Sequence, residues 1–151
     1  MKEEDRKLLL KDLSGRLPYG VYVEHIRNGM RGHLHNLKVY PLYDKTDDHI
    51  YDYICYIDFL GDGDYFDIDV FKPLLFPLSS MTEEQFEEFL DICGWCGYID
   101  EVRQGDFFNR EENLGFTHIY GTMDWLNKNH FDFRGLIEKG LAIDATNLNI
   151  Y

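Results

Sequence analysis

Leucines recur at three- and four-residue spacings near the start of the chain. Leu9, Leu10, Leu13 and Leu17 carry the repeat, with Lys and Asp between them. That period predicts an amphipathic helix over 3–17, ended by Pro18 and Gly20. The period then drops to two. Over 21–26, Val21, Val23 and His25 fall on one face of a strand and Tyr22, Glu24 and Ile26 on the other. Asn28-Gly29 and Arg31-Gly32 are turn chemistry. A partner strand follows over 34–43, with Leu37 and Val39 alternating and Pro41 marking an edge or a strand end. The strongest strand signal is 50–60, dense in Tyr, Ile and Phe and free of breakers. Gly61-Asp62-Gly63-Asp64 reads as a turn, and 66–71 returns with Phe66, Ile68 and Val70 inward. Together 50–71 predicts a β-hairpin at the centre of the sheet.

After Pro73 and Pro77 the pattern turns helical. Thr82-Glu83-Glu84-Gln85 has the form of a capping box, with Thr82 as N-cap and Gln85 three residues on. Acids in the first turn suit the helix dipole. Phe86, Phe89, Leu90 and Cys93 mark one face of a helix over 82–93, and Gly94 ends it. The stretch 97–121 has a weak pattern, with 106–114 as a loop. Thr122 reads as the cap of a short helix over 123–128, and 134–139 as another helical turn before Gly140. Phe131, Phe133, Leu136, Ile137 and Leu141 are too apolar for a free tail, so 122–143 is expected to pack on the body of the domain. The order of elements predicts one α+β domain over 1–151. Its antiparallel sheet lies in the first half, and its helices are N-terminal and in the second half.

Composition adds the core and the charge. An apolar share of 44%, with 11 Tyr, 11 Phe and 2 Trp in 151 residues, supplies ample core material and argues against disorder. No apolar run approaches the roughly 20 residues of a membrane span. The charged start Met-Lys-Glu-Glu-Asp is unlike a signal peptide. The 28 acids against 15 bases leave a net charge of −13, which disfavours nonspecific binding to nucleic acid or to an anionic membrane. Solubility is the ordinary reading of such acidity. The sharper one is a DNA mimic or anti-defence inhibitor presenting carboxylates to a basic groove. Three cysteines, Cys55, Cys93 and Cys96, are too few for a disulfide framework and fit a reducing cytoplasm.

Three sets of segments also carry a resemblance. They are Arg16-Leu17-Pro18-Tyr19-Gly20-Val21, then Pro77-Leu78-Ser79-Ser80-Met81-Thr82-Glu83-Glu84 after Lys72-Pro73, then His130-Phe131-Asp132-Phe133-Arg134-Gly135-Leu136-Ile137 ahead of Gly140-Leu141-Ala142. As a set they resemble a family of hypothetical proteins of gut Bacteroidales, their phages and mobile elements. The resemblance runs from the first helix to the C-terminus and is weakest in the middle. It implies a small cytoplasmic accessory protein with a link to phage or mobile-element biology. The family carries no assigned activity, so no catalytic residue transfers.

Candidate chemistry is sparse. Cys93-Gly94-Trp95-Cys96 is a CxxC, but it follows the 82–93 helix, whose carboxyl end raises a thiol pKa instead of lowering it. A zinc site at Cys93 and Cys96 needs two more ligands. Cys93 is better read as a core residue. Asp58, Asp62, Asp64, Asp67 and Asp69 cluster around the predicted hairpin turn without the EF-hand spacing. They read as a solvated hairpin end, with weak divalent binding the alternative. His33 and His35, two apart, face the same way on a strand and offer either a metal pair or an exposed strand start. His130, Asp132 and Arg134 alternate with Phe131 and Phe133, so the three polar groups share one face if extended. They are the candidate ligand-binding or catalytic group, with His130 as base and Asp132 as its orienter. The competing reading is that Asp132 and Arg134 hold the segment in place. Arg16, Tyr19, Tyr22 and Tyr40 could contribute to a binding surface. The favoured function is a non-enzymatic protein that binds another protein and needs no cofactor. The alternatives are a small-molecule site or enzyme built on His130, Asp132 and Arg134, and the DNA mimic.

Overall fold

The computed structural model describes residues 1–39, 53–59, 62–93 and 116–151. The fold is α+β, as the pattern predicts. Helix α1 spans Glu3–Arg16 and runs into a 3-10 turn at Leu17–Tyr19, which Gly20 closes at φ 71°. Among the described residues there are seven strands: β1 Tyr22–His25, β2 Arg31–Val39, β3 Tyr53–Phe59, β4 Asp62–Asp67, β5 Phe71–Pro77, β6 Phe131–Asp132 and β7 Ile143–Asp144. Helices α2 (Glu83–Cys93) and α3 (Phe116–Lys128) lie between β5 and β6.

The strands form one sheet in the order β4-β3-β2-β1-β5-β6, with β7 also on β5. The expected antiparallel sheet is in fact mixed, since β6 and β7 both run parallel to β5. The β3–β4 hairpin exists but sits at the end of the order and not at its centre. Its turn is tighter than Gly61 to Asp64, because Asp62 already pairs with Phe59. The return strand stops at Asp67, and Ile68–Val70 is a 3-10 turn whose Ile68 is fully buried.

The strand that organises the sheet is β5, which the sequence reading passed over because of Pro73 and Pro77. A strand's backbone groups alternate between its two edges. Leu74 O and the Phe76 N–H therefore serve one edge, and Leu75 O serves the other, where it accepts from the Ala145 N–H at 2.8 Å. Pro73 shares the edge of Leu75, and β7 pairing there starts only at Leu74. Its missing N–H thus costs no ladder bond, and Pro77 is the last residue of the strand.

Among the described residues there are two hydrophobic clusters. One packs Leu9 and Leu13 of α1 against Val21, Val23, Leu34, Cys55, Phe71 and Leu75 of the sheet, and is completed by Leu136, Leu141 and Ala142. The other joins Phe86, Phe89 and Cys93 of α2 to Trp125 and Leu126 of α3 and to Phe131. The C-terminal segment contributes to both, so 122–143 packs on the domain as expected. Helix α3 is longer than the short helix predicted from Thr122. Thr122 is buried within it and caps nothing at its start. The predicted helical turn at 134–139 is a run of turns without a helix. Tyr40, Pro41, Gly61 and the loop 106–114 lie outside the described residues.

The capping box forms as read. The Thr82 N–H donates to Gln85 Oε1 at 3.0 Å, and the Gln85 N–H donates to Thr82 Oγ1 at 3.2 Å. Phe86, Phe89 and Cys93 face the core from this helix. Thr82→Ala should therefore lower stability by about 1 kcal/mol in urea unfolding. An unchanged midpoint would mean that the box adds nothing to the fold.

Candidate functional site

The stripe of α1 that faces inward is Leu9, Asp12, Leu13 and Arg16, spaced i, i+3, i+4 and i+7. Two of the four are charged. Arg16, 0% exposed, donates from Nε to Asp12 Oδ2 at 2.6 Å and from Nη2 to Asp12 Oδ1 at 3.0 Å. Nη2 also donates to the Phe131 carbonyl of β6 at 2.8 Å. One guanidinium thus joins the first helix to the C-terminal segment.

The polar residues nominated by the sequence divide in role. Asp132 accepts the backbone N–H groups of Arg134 (3.3 Å), Leu136 (2.9 Å) and Ile137 (2.7 Å). Both of its oxygens are engaged in folding the turn that follows β6. Arg134 Nε lies 3.3 Å from Asp12 Oδ1, at ion-pair distance but without a well-directed hydrogen bond. Its guanidinium sits 4.5 Å from the Phe133 ring centre, with Arg16 5.5 Å from the same ring. Two cations and two carboxylates therefore share this region in balance.

His130 does not join them as a base with an orienting carboxylate. It is 6% exposed, takes a left-handed backbone at φ 57° and stacks on Tyr151 with ring centres 3.9 Å apart. Its Nδ1 is buried and has no hydrogen-bond partner among the described residues. Burial, with Arg16 and His33 nearby, pushes its pKa down to about 4. The imidazole is neutral at pH 7, where a general base would be able to accept a proton only weakly.

Tyr151 was not anticipated. Its hydroxyl accepts from the Tyr22 N–H at 3.1 Å and donates to Leu74 O at 2.9 Å. The last β1–β5 pair is Val23 with Pro73, so Tyr22 and Leu74 would be the next rung. The strands part there and the phenol fills the missing rung. Burial raises its pKa to about 12.

The remaining candidates separate as follows. Cys93 is buried and its thiol donates to Leu90 O at 3.5 Å; Cys96 lies outside the described residues. Burial and the nearby Asp67 raise the Cys55 thiol to about 12, far from a reactive thiolate. The aspartate cluster is not simply a solvated hairpin end. Asp67 accepts two hydrogen bonds from Arg6 Nη2 at 3.0 and 3.1 Å, and Arg6 Nε lies 3.1 Å from Asp69. These residues tie α1 to the strand end, while the side chains of Asp58, Asp62 and Asp64 lie outside the described residues. Among the described residues no group of three His, Cys, Asp or Glu is placed to hold a metal, and no helix is long and apolar enough to cross a membrane. Tyr19 donates to Asp124 of α3, and that bond raises its pKa. Comparison with protein-family models, curated proteins and solved structures gives no match.

His130 makes stability pH-dependent. Its folded pKa of about 4 lies below the ordinary 6.5, so the unfolded chain takes up its proton first as pH falls. The contribution is complete above pH 6.5 and is lost between 6.5 and about 4, on the order of 3 kcal/mol. His130→Asn keeps a residue that tolerates the left-handed backbone and should flatten the wild-type stability curve across that window. Parallel curves for the two proteins would show that His130 does not titrate in this way.

Proposed function

We propose that the protein is a non-enzymatic binding module of the cytoplasm that docks on another protein. The observation that carries this reading is the turn between β1 and β2. Ile26 and Met30 are 52% and 45% exposed there. The turn is nonetheless well built. The His25 N–H donates to Met30 O at 2.8 Å, the Gly29 N–H to His25 O at 2.9 Å, and the Met30 N–H to Asn28 Oδ1 at 3.1 Å. The Ile26 N–H is also held, by Val70 O at 2.9 Å. A pre-formed turn presenting two apolar side chains loses little entropy on binding. At the tip Arg27 and Arg31 stand against Glu24, which pairs with Arg31 at 2.8 Å, and this leaves one cation in excess in a chain of net charge −13. The tip therefore suits an acidic protein surface. The nominated polar residues support the same reading, because Asp132 and Arg134 are engaged in holding the C-terminal segment. An accessory role in phage or mobile-element biology, implied by the resemblance of the sequence, is compatible with such a part.

One feature favours the DNA mimic as a second reading. Glu83, Glu84, Glu87, Glu88 and Asp91 are all exposed along α2. A single experiment separates the two. The double variant Ile26→Asp, Met30→Asp should melt like wild type and lose the partner that wild type recovers from an extract of its own cell. If that partner stays, and is lost instead on Glu84→Lys, Glu88→Lys, the acidic helix and not the turn is the working surface.

A further inference from the structure

The segment after Ala145 is tied to the sheet at one point. The Ala145 N–H donates to Leu75 O, and beyond it the backbone bonds are local, from the Leu148 N–H to Ala145 O at 2.8 Å and from the Ile150 N–H to Leu148 O at 3.1 Å. Residues 146–151 form no helix or strand, and none of them is buried. Among the described residues, the hydrogen bonds that return this stretch to the sheet are the two of the Tyr151 hydroxyl.

The place that Tyr151 fills is made like a ligand site. Three rings wall it, with His130 stacked at 3.9 Å, Tyr22 edge-on at 5.4 Å and Phe76 tilted at 5.6 Å. The walls are themselves supported, because His33 packs on Tyr22 at 3.8 Å and Phe131 lies 6.2 Å from Phe76. At the inner end, where β1 and β5 part, the Tyr22 N–H and the Leu74 carbonyl lie 3.1 and 2.9 Å from one oxygen. A donor and an acceptor converging on one atom suit a hydroxyl, which accepts one proton and gives another. Aromatic walls with a few placed polar groups are the usual composition of a small-ligand pocket. Tyr151 nevertheless remains 45% exposed. The β1–β5 ladder ends at Val23 with Pro73, so the ring can leave without breaking a strand pair.

We propose that the slot between β1 and β5 is a phenol-binding site which Tyr151 closes as an intramolecular strap, and that a phenol from outside the chain displaces it. The incoming hydroxyl takes over the bonds to the Tyr22 N–H and Leu74 O, and the incoming ring takes the place on His130. The displaced strap gives up those contacts and no backbone bond to the sheet. A ligand that competes with an attached ring meets only the open fraction of the protein, so the strap sets the apparent affinity.

The test is NMR titration of the full chain with p-cresol, and with toluene as the probe that lacks the hydroxyl. p-Cresol should move the Tyr151 ring signals saturably to those of an exposed tyrosine. Toluene should bind at least about tenfold more weakly, because it leaves the Tyr22 N–H and Leu74 O unpaired. Tyr151→Ala should bind p-cresol more tightly than wild type, by the factor that the strap imposes. N-acetyl-tyrosine amide in the same titration separates the sources, since it competes only if the slot admits a phenol carried on a polypeptide. Should Tyr151→Ala fail to fold, hydrogen exchange in the unaltered chain decides. The Tyr22 N–H, bonded to the strap, should then exchange through an opening at least about a hundredfold more frequent than that of the Leu34 N–H, which Val21 O holds at 3.0 Å. Equal opening of the two overturns the proposal, because the strap then leaves only when the sheet does. Tyr151 signals that p-cresol does not move, equal affinity for toluene, or an affinity unchanged in Tyr151→Ala overturn it as well.

Discussion

The fold depends on what a fully buried arginine requires. Arg16 is 0% exposed, so its charge must be met inside the protein. Asp12 meets the charge through two bonds, and the Phe131 carbonyl takes a further one from Nη2. A buried pair of this kind contributes little net stability, because desolvation offsets the Coulomb gain. Losing one partner, by contrast, costs about 3–5 kcal/mol. Its consequence is therefore selective. The charge is met within α1 itself, so what β6 supplies is the carbonyl that takes a further donor of the buried Arg16.

That requirement places the elements around it. Phe131 sits in the α2–α3 cluster, while Leu136, Leu141 and Ala142 complete the α1–sheet cluster. Asp132 turns the chain between them by taking three backbone N–H groups of the following turn. Tyr151 then bridges β1 and β5 where their ladder opens. The polar residues of this region hold two cores in register. The exposed apolar turn at Ile26 and Met30 stands outside this arrangement.

Local pattern made several elements legible. The leucine period found α1 to within a residue at its end, and Thr82 with Gln85 found the start of α2 because a capping box is a purely local device. The pairing of His130, Asp132 and Arg134 in sequence was also informative, since it drew attention to the segment that joins the cores. The holding role of Asp132 and Arg134 was legible, but their partners and the place of His130 were not. Asp132 and Arg134 answer to Leu136, Ile137 and Asp12, and His130 to Tyr151, partners that no alternation reveals. Strand β5 was missed because Pro73 and Pro77 argue against a strand wherever both edges are paired, and which edge stays open is a tertiary fact. A usable signal did exist in α1. Asp12 and Arg16 lie on the same i, i+3, i+4, i+7 stripe as Leu9 and Leu13. Oppositely charged residues four apart on an apolar stripe mark a buried pair.

The central claim is that Arg16 makes α1 and the C-terminal segment one cooperative unit. Native-state amide hydrogen exchange tests it most directly, because it measures the opening free energy of each element separately. The N–H groups of Leu136 and Ile137, bonded to Asp132, should open with the same free energy as the N–H of Leu13 within α1, and Arg16→Met should lower all three together. Leu136 and Ile137 exchanging through a much cheaper opening while Leu13 keeps its full protection would contradict the account.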